Sequence, residues 1–235
     1  MKLITRSDFD GLACGALLLE AGVVDSYTFA HPKDIQDGLV TVTENDVLAN
    51  VPYAPGCGLW FDHHSSEHER LALAGKYKGE SRHAPSCARI IYEYYGGKER
   101  FPQFDDLMVA VDKVDSGNLT VDEVLNPSGW ILIGFLMDPR TGLGRFRNFT
   151  ISNYQLMEKL LVCCRTMGTE EILAMPDIEA SEKDIDWEQR KFDLVSALFV
   201  KYACSPDNLP YLLNDIIPQA DALINELKKG QGDEN

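Results

Sequence analysis

The chain has 235 residues, 45% of them hydrophobic, enough to bury a sizeable core in one large domain or at most two. Its formal net charge is -15, and a chain this acidic has no electrostatic footprint for holding duplex DNA by its phosphates. A phosphorylated substrate is compatible with that charge only where a metal ion or a local arginine group reverses the field at one site.

In chain order, Lys2 to Thr5 predicts a short buried strand, and "GLACGALLLEA" from Gly11 predicts a helix packed on a sheet. "DSYTFA" from Asp25 predicts a second strand and the weakly alternating "DGLVTVT" from Asp37 a third. "DVLANVPY" from Asp46 and "GLWFDHH" from Gly58 predict two more. From Ser86 the pattern turns helical: "SCARIIYEYYGG", "PQFDDLMVAVDKVD", "PSGWILIGFLMD" and "SNYQLMEKLLVCCRTM". A first strand feeding directly into a helix argues for an α/β fold, with a mostly parallel sheet flanked by helices. An all-helical C-terminal part should follow. The expected division is an α/β domain over residues 1–175 and a helical extension over 176–235.

The opening residues lack the apolar core of a signal peptide, and no window approaches the ~20 apolar residues of a membrane span. The six cysteines include no C-x-x-C pair and read as reduced thiols. The expectation is a cytoplasmic protein without membrane attachment.

Two stretches carry chemistry. Asp8 and Asp10 stand two apart just past the first strand, so in extended backbone both carboxylates point the same way. Like charges that close repel unless a cation lies between them. Gly11 then allows a tight turn into the helix. Asp8 taken alone would serve equally as an Asx-turn and helix N-cap. "FDHH" places Asp62, His63 and His64 at the end of another apolar strand. Carboxylate and imidazole together are ligands for Mn, Fe or Zn, and adjacent histidines can divide metal and substrate between them.

In combination, "SDFDG", "FDHH" and "APSCARIIYEYYG" resemble the motifs of the DHH superfamily of phosphoesterases, which includes exopolyphosphatases, nanoRNases and cyclic-dinucleotide phosphodiesterases. The run from Thr5 to Glu67 is similar to exopolyphosphatase-like members. The resemblance implies a DHH-type α/β domain holding divalent ions, Mn2+ or Mg2+, one or two in number. It matches Asp8 and Asp10 to one ion each and His63 to the second ion. Asp62 is matched as ligand or orienter, and His64 as the residue facing substrate. It also implies a further aspartate in "LMVAVDKVD", with Asp112 favoured and Asp115 the alternate.

Two positions depart from the family pattern. Arg6 stands where a histidine usually opens the first motif, and Asn50 stands where a bridging aspartate usually ends a strand. A guanidinium has no lone pair for a metal, but it can pair with Asp8 and grip a phosphate bidentately. The basic stretch "DPRTGLGRFRNF" offers Arg145 and Arg147 to a phosphate, or is a solvated loop. After Met175 the only glycines are Gly230 and Gly232, so the family's glycine-rich second domain is not expected in residues 176–235.

The expected function is metal-dependent hydrolysis of a phosphoanhydride or phosphodiester bond in a small phosphorylated substrate: polyphosphate, a short oligonucleotide or a cyclic nucleotide. His64 and Arg6 are the expected catalytic residues. Arg6, Asn50, His64, Arg145 and Arg147 are the expected substrate contacts. The alternative is a non-catalytic phosphate- or nucleotide-binding protein on a degenerate site. A homodimer is left open.

Overall fold

The computed structural model describes residues 1–65, 67, 76–138, 151–176 and 178. Among these, five strands form one all-parallel sheet: β1 (Lys2–Thr5), β2 (Ser26–Phe29), β3 (Asp46–Ala49), β4 (Leu59–Asp62) and β5 (Gly79–Ser81). Their order is β2-β1-β3-β4-β5. The helices are α1 (Phe9–Glu20), α2 (Pro32–Gln36), α3 (Cys87–Tyr94), α4 (Gly97–Arg100), α5 (Asp105–Ser116), α6 (Val121–Leu125), α7 (Gly129–Met137), α8 (Asn153–Cys163) and α9 (Thr169–Leu173), with a 3-10 turn at Pro102–Phe104.

The strands alternate between two buried faces, as parallel strands covered on both sides must. Leu3, Val47, Ala49 and Phe61 join the larger core with residues of α1, α3, α5, α7 and α8. Ile4, Leu48 and Trp60 point the other way and pack with Ile35 and Val51. Burying one such aliphatic side chain is worth about 1.5–3 kcal/mol. Helix α1 is buried over most of its length, which explains its run of small and apolar residues. At Gly15 the Leu161 side chain of α8 comes so close that a Cβ would lie 2.5 Å from it.

The expected strand in "DGLVTVT" does not form. Its alternation is genuine, because Val40 and Val42 lean on the smaller core. Both sides of β1 are already taken, by β2 and β3, so this segment has no place beside it. The short edge strand β5 was not expected. The division after Met175 and the helical extension fall outside the described residues, apart from Pro176 and Ile178. Among the described residues, no helix is long and apolar enough to cross a membrane.

Connectivity positions the site. From β1 the chain steps to β2 on one side and then returns across β1 to β3 on the other. That reversal leaves a crevice at the carboxyl ends of β1 and β3, where ligands of such sheets bind. Thr5, Ala49 and Phe61 are in register, so the next residues, Arg6, Asn50 and Asp62, form one row along the crevice edge.

Candidate active site

Helix α1 starts at Phe9, two residues earlier than the glycine suggested, so Asp10 is helical and not extended. Asp8 is the N-cap, in extended backbone, and its Oδ1 accepts the Gly11 N–H at 2.8 Å. The capping role and the site role therefore coexist in one side chain. Both carboxylates still face the crevice, because the cap and the first helical turn sit directly beneath it. Gly11 is required here: a Cβ would lie 2.0 Å from the Arg6 carbonyl oxygen.

Asp10 is buried and fastens a second helix. Its Oδ2 accepts the Cys87 N–H at 2.9 Å and its Oδ1 the Ala88 N–H at 2.8 Å, both in the first turn of α3. A helix N-terminus favours a carboxylate there through its unpaired N–H groups and its dipole.

His63 follows β4. Its Nδ1–H donates to the Ala84 carbonyl at 3.2 Å, which leaves Nε2 as a lone pair. That Nε2 is buried and has no hydrogen-bond partner among the described residues. It lies 3.2 Å from Asp115 Oδ2 and 3.8 Å from Asp10 Oδ2. Three lone-pair donors thus converge, and burial holds the imidazole below its ordinary value and so neutral at pH 7, against the upward pull of Asp115. This is the donor chemistry of a divalent transition ion, and the residues fit one.

A second set, Asp10 with Cys14 and Cys87, also converges. It is wholly buried, and burial pushes the Cys14 thiol well above its ordinary value and Cys87 up to about 11. Both thiols belong to the hydrophobic core, and Cys87 Sγ already bonds the Phe61 carbonyl and the Asn50 N–H, each at 3.2 Å, so we read this pair as core packing.

The structure does not bring Asp112 to the cluster. Its Oδ2 accepts from Arg89 Nε at 2.9 Å and from a terminal Arg89 nitrogen at 2.6 Å, and its Oδ1 accepts the Ser86 hydroxyl at 2.7 Å. Asp115, three residues further along α5, stands beside His63 instead. Asp62 Oδ1 accepts from His64 Nδ1 at 2.8 Å, while its buried Oδ2 has no partner among the described residues. That hydrogen bond pushes the His64 imidazole up, favouring its charged form.

Arg6 Nε lies 3.2 Å from Asp8 Oδ2, and the Asn50 side-chain amide donates to Asp8 Oδ1 at 2.9 Å. Asn50 adopts φ of 56°, the one positive φ outside glycine among the described residues. Asn tolerates this left-handed backbone better than most residues. Arg145 and Arg147 lie outside the described residues. His31 caps α2, accepting the Lys33 N–H at 3.2 Å.

Arg6, Asp8, Asp10, His63, His64 and Asp115 line a pocket of about 600 Å³. Phe9, Val114 and Gly134 give it an apolar wall, and Asp138 also lines it. Sequence reading did not single out Asp138. Its only signal is an acid closing the apolar run of α7.

Withdrawal from water pushes Asp8 from 3.8 up to about 6, against the pull of Arg6. Burial, with Asp115 and Asp8 nearby, pushes Asp10 well above the carboxylate range. Their folded-state values exceed their unfolded ones, so the stabilising contribution of Asp8 is lost as pH rises through about 6, and that of Asp10 as pH rises above the ordinary carboxylate range. A bound cation reverses that loss. Manganese at a hundred times its Kd at pH 7.5 is therefore expected to raise Tm by roughly 5–10 °C at that pH, and the same concentration far less at pH 5. Thermal melts at both pH values check this, and equal shifts would refute it.

The chain is similar to a pGpG-specific phosphodiesterase, PggH, from Vibrio cholerae. The two are 43% identical, with a TM-score of 0.69, and the match covers 86% of this chain and 62% of the other. The chain thus spans less than two thirds of that relative's length. No protein-family profile and no curated protein sequence matches the chain.

Proposed function

The chain belongs to the DHH superfamily of phosphoesterases, and from that premise we propose that it hydrolyses a phosphodiester bond in a short linear oligonucleotide, using a divalent ion. One observation carries the reading: the buried His63 Nε2 lone pair meets Asp10 and Asp115 at the floor of an open pocket. The identity to a pGpG-specific enzyme supports a dinucleotide as the substrate class. Asp10, His63 and Asp115 are the proposed ligands, with Mn2+ the ion to test first and Mg2+ second. Asp112 is not proposed as a ligand.

When bound, the ion supplies Lewis acidity and a water of lowered pKa. The protein's own groups do the rest. Arg6 receives a phosphoryl oxygen through the N–H groups that Asp8 does not use. Asp62 holds His64 by Nδ1, so that the ring presents its other nitrogen to the substrate. From there it can stabilise charge on a phosphoryl oxygen or protonate the leaving oxygen. Phe9 and Val114 give the pocket an apolar wall suited to the flat part of a nucleotide.

A manganese-supplemented screen over pGpG, other linear dinucleotides, cyclic dinucleotides, pyrophosphate and polyphosphate tests this. Linear dinucleotides should be cleaved fastest. His64→Gln should lower kcat by about 10²–10⁴-fold, the usual contribution of a positioned proton donor, with metal content unchanged. Tight nucleotide binding without turnover would instead identify a binding protein, and polyphosphate as the best substrate would overturn the substrate class.

A further inference from the structure

Resting on the metal-site reading above, we infer that the site holds one divalent ion, and that the Arg6 guanidinium, set by Asn50 and Asp8, stands in the place a second ion would take. The two halves of the pocket differ in their donors. Asp10, His63 and Asp115 bring ligand atoms within 4.8 Å of one another, and Asp8 belongs to no such set among the described residues.

Both Asp8 oxygens already face hydrogen-bond donors. Oδ1 accepts from the Gly11 backbone and from the Asn50 amide, and Oδ2 faces Arg6 Nε. A cation at Asp8 would displace a guanidinium and turn an amide N–H away from its acceptor. It would also have to sit beside a fixed positive charge, with only one carboxylate and water to hold it. Asn50 turns its amide nitrogen, a hydrogen-bond donor, toward Asp8, and could serve a cation only by giving up that bond and turning its carbonyl oxygen inward.

The same arrangement aims Arg6. Among the described residues Arg6 meets Asp8 through Nε, and Arg6 lines the same pocket as Asp10 and His63, so its terminal N–H groups are available to a phosphate there. A phosphate bridging a single ion and this fork meets two positive centres, as it would between two ions. The Arg6 centre cannot dissociate and cannot be chelated away.

Manganese is titrated calorimetrically into the full-length protein, and manganese per chain is counted after gel filtration. Wild type should take up about one ion. Arg6→His combined with Asn50→Asp should take up about two, since both changes supply lone pairs where donors now stand. Two tight ions in wild type would overturn the inference while leaving the hydrolytic reading intact. One ion in both proteins would show that Arg6 and Asn50 are not what excludes the second, and would also overturn it. No ion in wild type would remove the metal-site reading itself. Should the double variant fail to fold, Arg6→Gln decides through inorganic phosphate. Binding to the manganese-loaded protein should weaken about tenfold to a hundredfold, with the ion count still one. Unchanged phosphate affinity would overturn the role given to Arg6.

Discussion

Asp115→Asn is expected to cut kcat/KM by about three orders of magnitude and to release the ion, while Asp112→Asn keeps both within about tenfold. The first effect follows from position. Asp115 Oδ2 is 3.2 Å from the His63 Nε2 lone pair, where a shared cation replaces what would otherwise be repulsion between acceptors. Charge stabilisation by a metal is worth several kcal/mol, and about 4 kcal/mol corresponds to roughly 10³ in rate. Asp112 has a different load. It takes two donors from Arg89 and one from Ser86, the residue that caps α3. Losing its charge weakens that support by about 1–3 kcal/mol, or roughly 2–12 °C in Tm. Metal content and melting temperature of the two variants separate the cases. The reverse pattern, with Asp112→Asn releasing the ion, would overturn the ligand set.

Gly11→Ala is expected to lower stability by about 3 kcal/mol and to abolish activity, although it adds a single methyl group. The new Cβ would lie 2.0 Å from the Arg6 carbonyl oxygen and 3.0 Å from its carbonyl carbon. Both are backbone atoms, so no rotamer change relieves the clash. Overpacking of this kind costs about 1–3 kcal/mol where side chains can adapt, and here the turn between β1 and α1 must move. That turn carries Arg6 and Asp8, and α1 carries Asp10, so the ligand geometry moves with it. Chemical denaturation and manganese uptake of the variant test this. Wild-type values for both would show that the turn is more compliant than its contacts indicate.

The parts of the fold and site legible in the sequence are those with local causes. β1 and β4 are apolar runs ending in acids, and register then brings their ends together. Asp8, Asp10, Asp62 and His63 stood out because carboxylates and an imidazole follow closely on two strands, and Asp8, Asp10 and His63 do line one pocket. The choice between Asp112 and Asp115 was not visible. They are three apart on one helix, less than a full turn, and which of them meets His63 depends on where α5 crosses the sheet. The position of Arg89, which draws Asp112 aside, is equally non-local. β5 escaped notice because Gly79–Ser81 is three residues long, with no alternating pattern. "DGLVTVT" misled for the opposite reason: its alternation records burial against the smaller core, not strand pairing.

The Asp10 carboxylate joins the pocket to α3 through two backbone N–H groups. With Asp10 as a ligand of the proposed ion, ion affinity and the seating of that helix become one coupled equilibrium. Linkage makes the coupling reciprocal: whatever free energy the ion contributes to holding α3 in place, a well-seated α3 returns as tighter ion binding. Ser86 and Arg89, which contact Asp112 and not the proposed ligands, are thereby expected to tune the affinity of the proposed site. A search for weakened-metal variants would find them among the residues that merely hold α3 down.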